Sequence, residues 1–303
     1  MMFRKLPALL IVFTLVAIIA NGNTKAFAST TQTTPAPQAS ATLRTPTEIV
    51  LAFYEALREK RFREAFALSI YNVAINGLSD AEFAALRPEF KNLSDKEFAA
   101  LRPKFQKLTT EEFEDLRPDF EKLAANVPAE ISISGEQISN NEAATVFVQI
   151  KGADAKTATP EPLALFRENN SWIVGDRNDA RLVRLEGKDF FFNLRIKTHQ
   201  SEAQAMLRRV SLALIAYSAQ HTGNFADLQT LVDAGLLPKD IQTTESTGYA
   251  FQLRLAPDAR GFAVFATPAR YNRTGRLSFF MDATGVKSKD TGGQLYDPRP
   301  VKK

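Results

Sequence analysis

The chain has 303 residues, 45% hydrophobic and 24% charged. That composition excludes a disordered chain, a collagen-like or coiled-coil rod and a polytopic membrane protein, and the length suits about two domains. The formal charge of +4 is too small for the one-sided basic excess that nucleic-acid binding requires. With no cysteine and only His199 and His221 as histidines, disulfides, thiol nucleophiles and cysteine-held metals are excluded, and little remains for a histidine metal site or a nucleophile–histidine triad.

Residues 1–28 carry Arg4 and Lys5, an apolar run from Leu6 to Ala20, and then Ala26-Phe27-Ala28. This is the three-part pattern of a secretory signal, with cleavage between Ala28 and Ser29. The apolar run is shorter than the roughly 20 residues that cross a bilayer, and no other stretch could span one; an uncleaved anchor is the competing reading. The expectation is export through the general secretory route to the periplasm or beyond, with no stable membrane span after signal removal. Losing Arg4, Lys5 and Lys25 leaves 35 basic against 34 acidic residues. Residues 29–46, STTQTTPAPQASATLRTP, read as a flexible Ser/Thr/Pro/Ala linker.

Thr47 is positioned to cap a helix running to about Lys60, because Ile49, Val50, Phe53, Tyr54 and Leu57 form one apolar stripe. A second helical piece carries Phe62, Ala65, Phe66 and Ile70. Residues 78–122 then repeat three times with a period of 15: LSDAEFAALRPEFKN, LSDKEFAALRPKFQK and LTTEEFEDLRPDFEK. Ser79 with Glu82, Ser94 with Glu97 and Thr109 with Glu112 have capping-box spacing. Pro88, Pro103 and Pro118 are expected to interrupt or kink each helix after Leu-Arg. The copies read as a duplicated insertion stacked on its parent domain, with a periodic Arg87, Arg102 and Arg117 binding surface as the alternative.

From about residue 129 the apolar period switches to two. Ile131/Ile133, Val146/Val148/Ile150, Leu163/Leu165, Trp172/Val174 and Phe190/Phe192/Leu194/Ile196 read as successive strands, with turns at Ser139-Asn140-Asn141, Gly152-Ala153-Asp154 and Glu168-Asn169-Asn170. Asp176 and Asp179 in GDRND read as turn formers. A helical stripe at Ala203, Leu207, Val210, Leu214 and Tyr217 follows, then a short helix near 226–234, two strands around Pro257-Asp258-Ala259-Arg260-Gly261, and a strand at 277–281. The fold class expected is α+β twice over: helices on a curved antiparallel sheet with a helical repeat insertion over 47–196, then a second small α+β domain over 197–293 and a basic tail over 294–303.

The order TEIVLAFYEALREKRFREAFAL, EISISGEQIS, AATVFVQIKG and SWIV resembles the nuclear-transport-factor-two-like cone fold of many exported bacterial proteins. That resemblance implies a pocket walled by the bent sheet, in isomerases, dehydratases and non-catalytic binders alike. Tyr54, Tyr71 and Trp172, rings with polar tips, are the pocket candidates, with plain core packing as the alternative. Residues 197–293, with AQAMLRRVSLALIAYSAQ, GNFADLQTLVDAGLL, GYAF and FAVFATPARYNRTGRLSFFMDATGV, resemble the globular part of a type IV pilin or type II secretion pseudopilin. This implies assembly or interaction. Val12 and Ala17 stand where a prepilin carries glycine and glutamate, so the match points to a detached recognition module. Some pseudopilins bind calcium near the last loop; Asp282, Thr284 and Asp290 are read here as turn residues.

The combined expectation is an exported, non-enzymatic binding or assembly protein of the bacterial cell envelope, without cofactor, metal or nucleic-acid partner, acting on an envelope protein through the pilin-like domain. Its alternatives are a cone-fold isomerase or dehydratase of a small apolar molecule and a membrane-anchored secretion or pilus component. Oligomeric state is left open.

Overall fold

The computed structural model describes residues 44–150, 160–245 and 247–299. The expected signal with its Ala28–Ser29 junction, most of the expected linker and the expected turn at 152–154 lie outside the described residues. The fold is mixed α and β, with two four-stranded antiparallel sheets, and it divides into two compact units between Phe190 and Phe191.

Unit 1 begins with α1 (Pro46–Arg58). Its cap is Thr45 rather than Thr47: the Thr45 hydroxyl accepts from the Glu48 amide at 3.2 Å, and the Glu48 carboxylate accepts from the Thr45 amide at 2.7 Å. Pro46 explains the shift, because its missing N–H and fixed φ suit the first helical position. Thr47 instead donates its hydroxyl to Glu136 at 2.6 Å. The helices α2 (Phe62–Ala67) and α3 (Asn72–Asn76) lead into the repeats.

The first copy forms α4 (Asp80–Ala84) and a 3-10 turn at Arg87–Phe90; the second forms α5 (Asp95–Ala100) and a 3-10 turn at Arg102–Phe105. All three capping boxes are present. The first two copies embrace each other. Arg87 reaches Asp95 at 2.9 Å and the Leu93 carbonyl at 2.9 Å, while Arg102 reaches back to Asp80 at 2.7 Å and the Leu78 carbonyl at 3.0 Å. Phe83 and Phe98 stack at 4.6 Å between them, and each lies 5.3 Å from the guanidinium of the other copy. The pair therefore closes on itself around Leu78, Phe83, Leu86, Phe98 and Phe105.

The third copy behaves differently. Pro118 interrupts nothing, lying inside the 15-residue helix α6 (Thr110–Ala124). Copies one and two are each followed at once by a new capping box that starts another helix; after Pro118 comes DFEKLAA, helix-forming and capless, so the helix runs on. Phe120 packs at 4.9 Å from Phe66 and 5.7 Å from Phe62, inside the core of the unit.

The sheet of unit 1 runs β1 (Ile131–Ser139), β2 (Ala143–Ile150), β3 (Glu161–Glu168) and β4 (Ser171–Val174), in sequence order. A register shift between Ile133 and Gly135 bends β1. Asn140, Asn141, Asn169 and Asn170 all have positive φ, which asparagine tolerates and tight hairpins require. Val146, Val148, Leu163, Leu165, Trp172 and Val174 are buried on one face. The chain then forms α7 (Arg177–Glu186), where a turn was expected; the Asp176 side chain caps it, accepting from the Asn178 and Asp179 amides at 2.7 and 3.0 Å.

Unit 2 holds nearly all of α8 (Phe190–Gln220). The strand expected at 190–196 is helix. Alternation at 190, 192, 194 and 196 competes there with the helical series Phe192, Ile196, Ala203, Leu207, Val210 and Leu214, all buried, and no Gly or Pro breaks that series before Gly223. The second sheet, β5 (Tyr249–Leu255), β6 (Phe262–Pro268), β7 (Leu277–Asp282) and β8 (Gly285–Asp290), packs one face against α8 and α9 (Leu228–Asp233). Its other face buries Ala263, Phe265 and Phe280 beneath Tyr296. Tyr249 donates to the Leu277 carbonyl at 2.9 Å, and a side chain at Gly275 would lie 2.1 Å from that hydroxyl. Among the described residues no helix is long and apolar enough to cross a membrane.

Candidate functional site

A cleft of about 580 Å³ opens in unit 1. Its residues come from α3, the first repeat copy, the β3–β4 hairpin and α7. Phe166 pairs with Ile173 and Glu168 with Ser171, so these four side chains occupy the sheet face opposite Leu165, Trp172 and Val174. The cleft is thus outside the apolar core.

Its chemistry is an apolar floor within a charged rim. Arg177, Arg181 and Arg184 fall at i, i+4 and i+7 on α7 and share one face. Arg181 grips Glu89 with two bonds of 2.5 and 3.2 Å, which holds that carboxylate below its usual range. Arg184 bonds Glu168 at 2.9 Å. Glu82 accepts from the Ser79 hydroxyl and amide at 2.6 and 2.8 Å, which lowers its pKa. Arg177 has looser company: the Arg167 carbonyl at 3.3 Å and the Glu142 carboxylate at 3.8 Å.

None of the three expected pocket rings lines this cleft. Tyr54 is buried, its ring 5.7 Å from Phe53, and burial followed by Glu161 pushes its phenol up to about 12. Trp172 is buried, with the Arg167 guanidinium 5.9 Å from its ring. Tyr71 is half-buried between Phe66 at 5.8 Å and Phe190 at 5.5 Å. Burial and, after it, the Asp179 carboxylate push the Tyr71 phenol up. Asp179 is itself pushed up to about 6, by burial first and then by Asp176 beside it. Of the sequence candidates, then, only Tyr71 and the GDRND acids come near each other.

The arginine ladder was missed in the sequence because GDRND was read as a turn. The signal was present: an Asp cap directly before RNDARLVR puts three arginines on one helical face. The final loop behaves as expected, with Asp282 accepting from the Thr284 amide at 2.8 Å and hydroxyl at 2.6 Å. Among the described residues no group of three His, Asp or Glu side chains could hold a metal ion. His221 stacks on Tyr217 at 3.7 Å, and the ring of His199 sits against Gly248, where a side chain would meet its Nδ1 at 2.3 Å.

Unit 2 presents a second surface feature. Leu212 is 68% exposed and Ile215 58% exposed, with Ala216 and Ala219 beside them and Arg208 one turn earlier on the same exposed face of α8. No known family model matches the chain. No curated protein matches it either.

Proposed function

We propose that the chain is an exported, non-catalytic binding or assembly protein of the bacterial cell envelope, with a cone-fold domain followed by a pilin-like domain that makes the protein contact. The observation that carries this reading is the exposed Leu212–Ile215 face of α8. Two large aliphatic side chains left in water on adjacent turns of a helix whose opposite face is buried suit a partner surface. Arg208 and Arg209, both exposed at its N-terminal side, select a partner with an apolar ridge bordered by acidic residues. A long helix laid on a four-stranded antiparallel sheet supports the pilin-like assignment, and the bulged sheet covered by α1 supports the cone-like one.

The test is the native mass of the full-length chain released gently from fractionated cells. The wild type should run as a complex larger than the chain, and the Leu212→Ser/Ile215→Ser variant as the chain alone. Equal sizes for both would contradict the reading. A second reading, a cone-fold enzyme, is favoured by one observation, the raised Asp179 carboxyl near Tyr71. It requires turnover that Asp179→Asn abolishes while binding persists.

A further inference from the structure

We infer that the cleft on the outer face of the β3–β4 hairpin binds the carboxylate end of an apolar-tailed molecule, with Arg177 as its anchor. This goes beyond the α8 contact and does not depend on it. The rim contains three arginines and three glutamates, but the charges are not equally committed. Glu82 caps its own helix, Glu89 is held by Arg181, and Glu168 is held by Arg184. Arg177 is the rim cation whose nearest carboxylate, Glu142, stands beyond hydrogen-bond range at 3.8 Å.

The Arg177 guanidinium lies 5.3 Å from the Phe166 ring centroid. Phe166 holds it over the cleft and reduces the entropy lost when it grips a ligand. A guanidinium fork matches a carboxylate with two parallel hydrogen bonds. Below the rim, Ile70, Val73, Leu86, Phe166 and Ile173 supply an apolar floor, and the cleft volume falls in the range of small-molecule sites. A cation at the lip of a cleft with mixed polar and apolar walls suits a molecule with one anionic end and a short apolar tail. The carboxylate can belong to a free alkyl acid or to the C-terminus of a peptide ending in apolar residues.

The experiment is calorimetric titration of the full chain with octanoate, with octanol, and with a pentapeptide of apolar C-terminus in free-acid and amidated forms. Octanoate or the free-acid peptide should saturate a single site, and octanol and the amide should bind at least about tenfold more weakly. Octanoate alone binding identifies an alkyl acid, the peptide alone a C-terminus; either supports the site. Arg177→Gln should weaken binding by about tenfold, Arg177→Lys by less, and Arg117→Gln, outside the cleft, should change nothing. Ala180→Trp blocks the cleft by size while leaving the Arg177 side chain in place and should abolish binding even if Arg177→Gln proves unstable. Equal binding of octanoate and octanol, unchanged binding by Arg177→Gln and Ala180→Trp, or no binding by either carboxylate would overturn the inference.

Discussion

Copies one and two of the 15-residue repeat differ from copy three at one telling place. The residue after the capping hydroxyl is Asp80 in the first copy, Asp95 in the second and Thr110 in the third. Each of the two aspartates receives an arginine from the other copy. Thr110 has no charge to offer, and Arg117 turns instead to Glu114 on its own helix at 2.5 and 2.7 Å. The first two copies therefore satisfy each other, and the third spends its apolar face on the parent core. The lesson is that a near-identical apolar pattern does not fix where a repeat packs; the polar residue at its edge chooses the neighbour.

The comparison can be broken most severely at Phe120. Phe120→Ala should destabilise unit 1 by about 3–5 kcal/mol through loss of buried ring and the cavity left behind, whereas Phe90→Ala, at a half-buried position of the closed pair, should cost clearly less. Trp172, the single tryptophan, is buried in unit 1, so its fluorescence during chemical denaturation reports this unit by itself. Arg102→Ala removes bonds to Asp80, Leu78 and Phe105 and should cost about 2 kcal/mol. Arg117→Ala in the third copy should leave the denaturation midpoint where it was. If both arginines matter equally, the asymmetry between copies is wrong.

Smaller effects sharpen the same contrast. Thr109→Ala deletes the cap of α6 and should cost about 1 kcal/mol. Thr110→Asp restores the repeat's acidic position, but with no arginine facing it should gain only about 0.5 kcal/mol from the helix N-terminus; a gain near that lost in Arg102→Ala would mean that the third copy can join the pair. The remaining effect is one of pH. Asp179 should titrate near 6 by carboxyl NMR. Because its folded pKa lies above the unfolded value, its stabilising contribution is complete below about pH 4, the unfolded range, and fades as pH rises through 6. Asp176→Asn should move that midpoint down, since Asp176 is one of the groups that raises it.

Much of this was legible in local sequence. The four-residue capping boxes and the Asn-Asn turns specify their own backbone, and both appear where the residues put them. The FFFNLRI segment was misread because a run of adjacent aromatics satisfies periods of two and 3.6 alike, and only the continuation of the buried series through Ala203, Leu207, Val210 and Leu214 decides between them. The cleft was illegible for another reason. Its walls come from residues 67–89 and 166–185, two segments that local patterning never compares. The mutual embrace of Arg87 and Arg102 was equally hidden, since a periodic arginine reads as an exposed ladder until its partners are known.

The proposal that the protein works as a binding module through α8 is tested most directly by site-specific photo-cross-linking in the full-length chain. Cross-linkers at Leu212 and Ile215 should yield one adduct of the same mass, and a cross-linker at Ser288 on the exposed strand β8 should yield none. No adduct from 212 and 215, or the same adducts from all three positions, would contradict it.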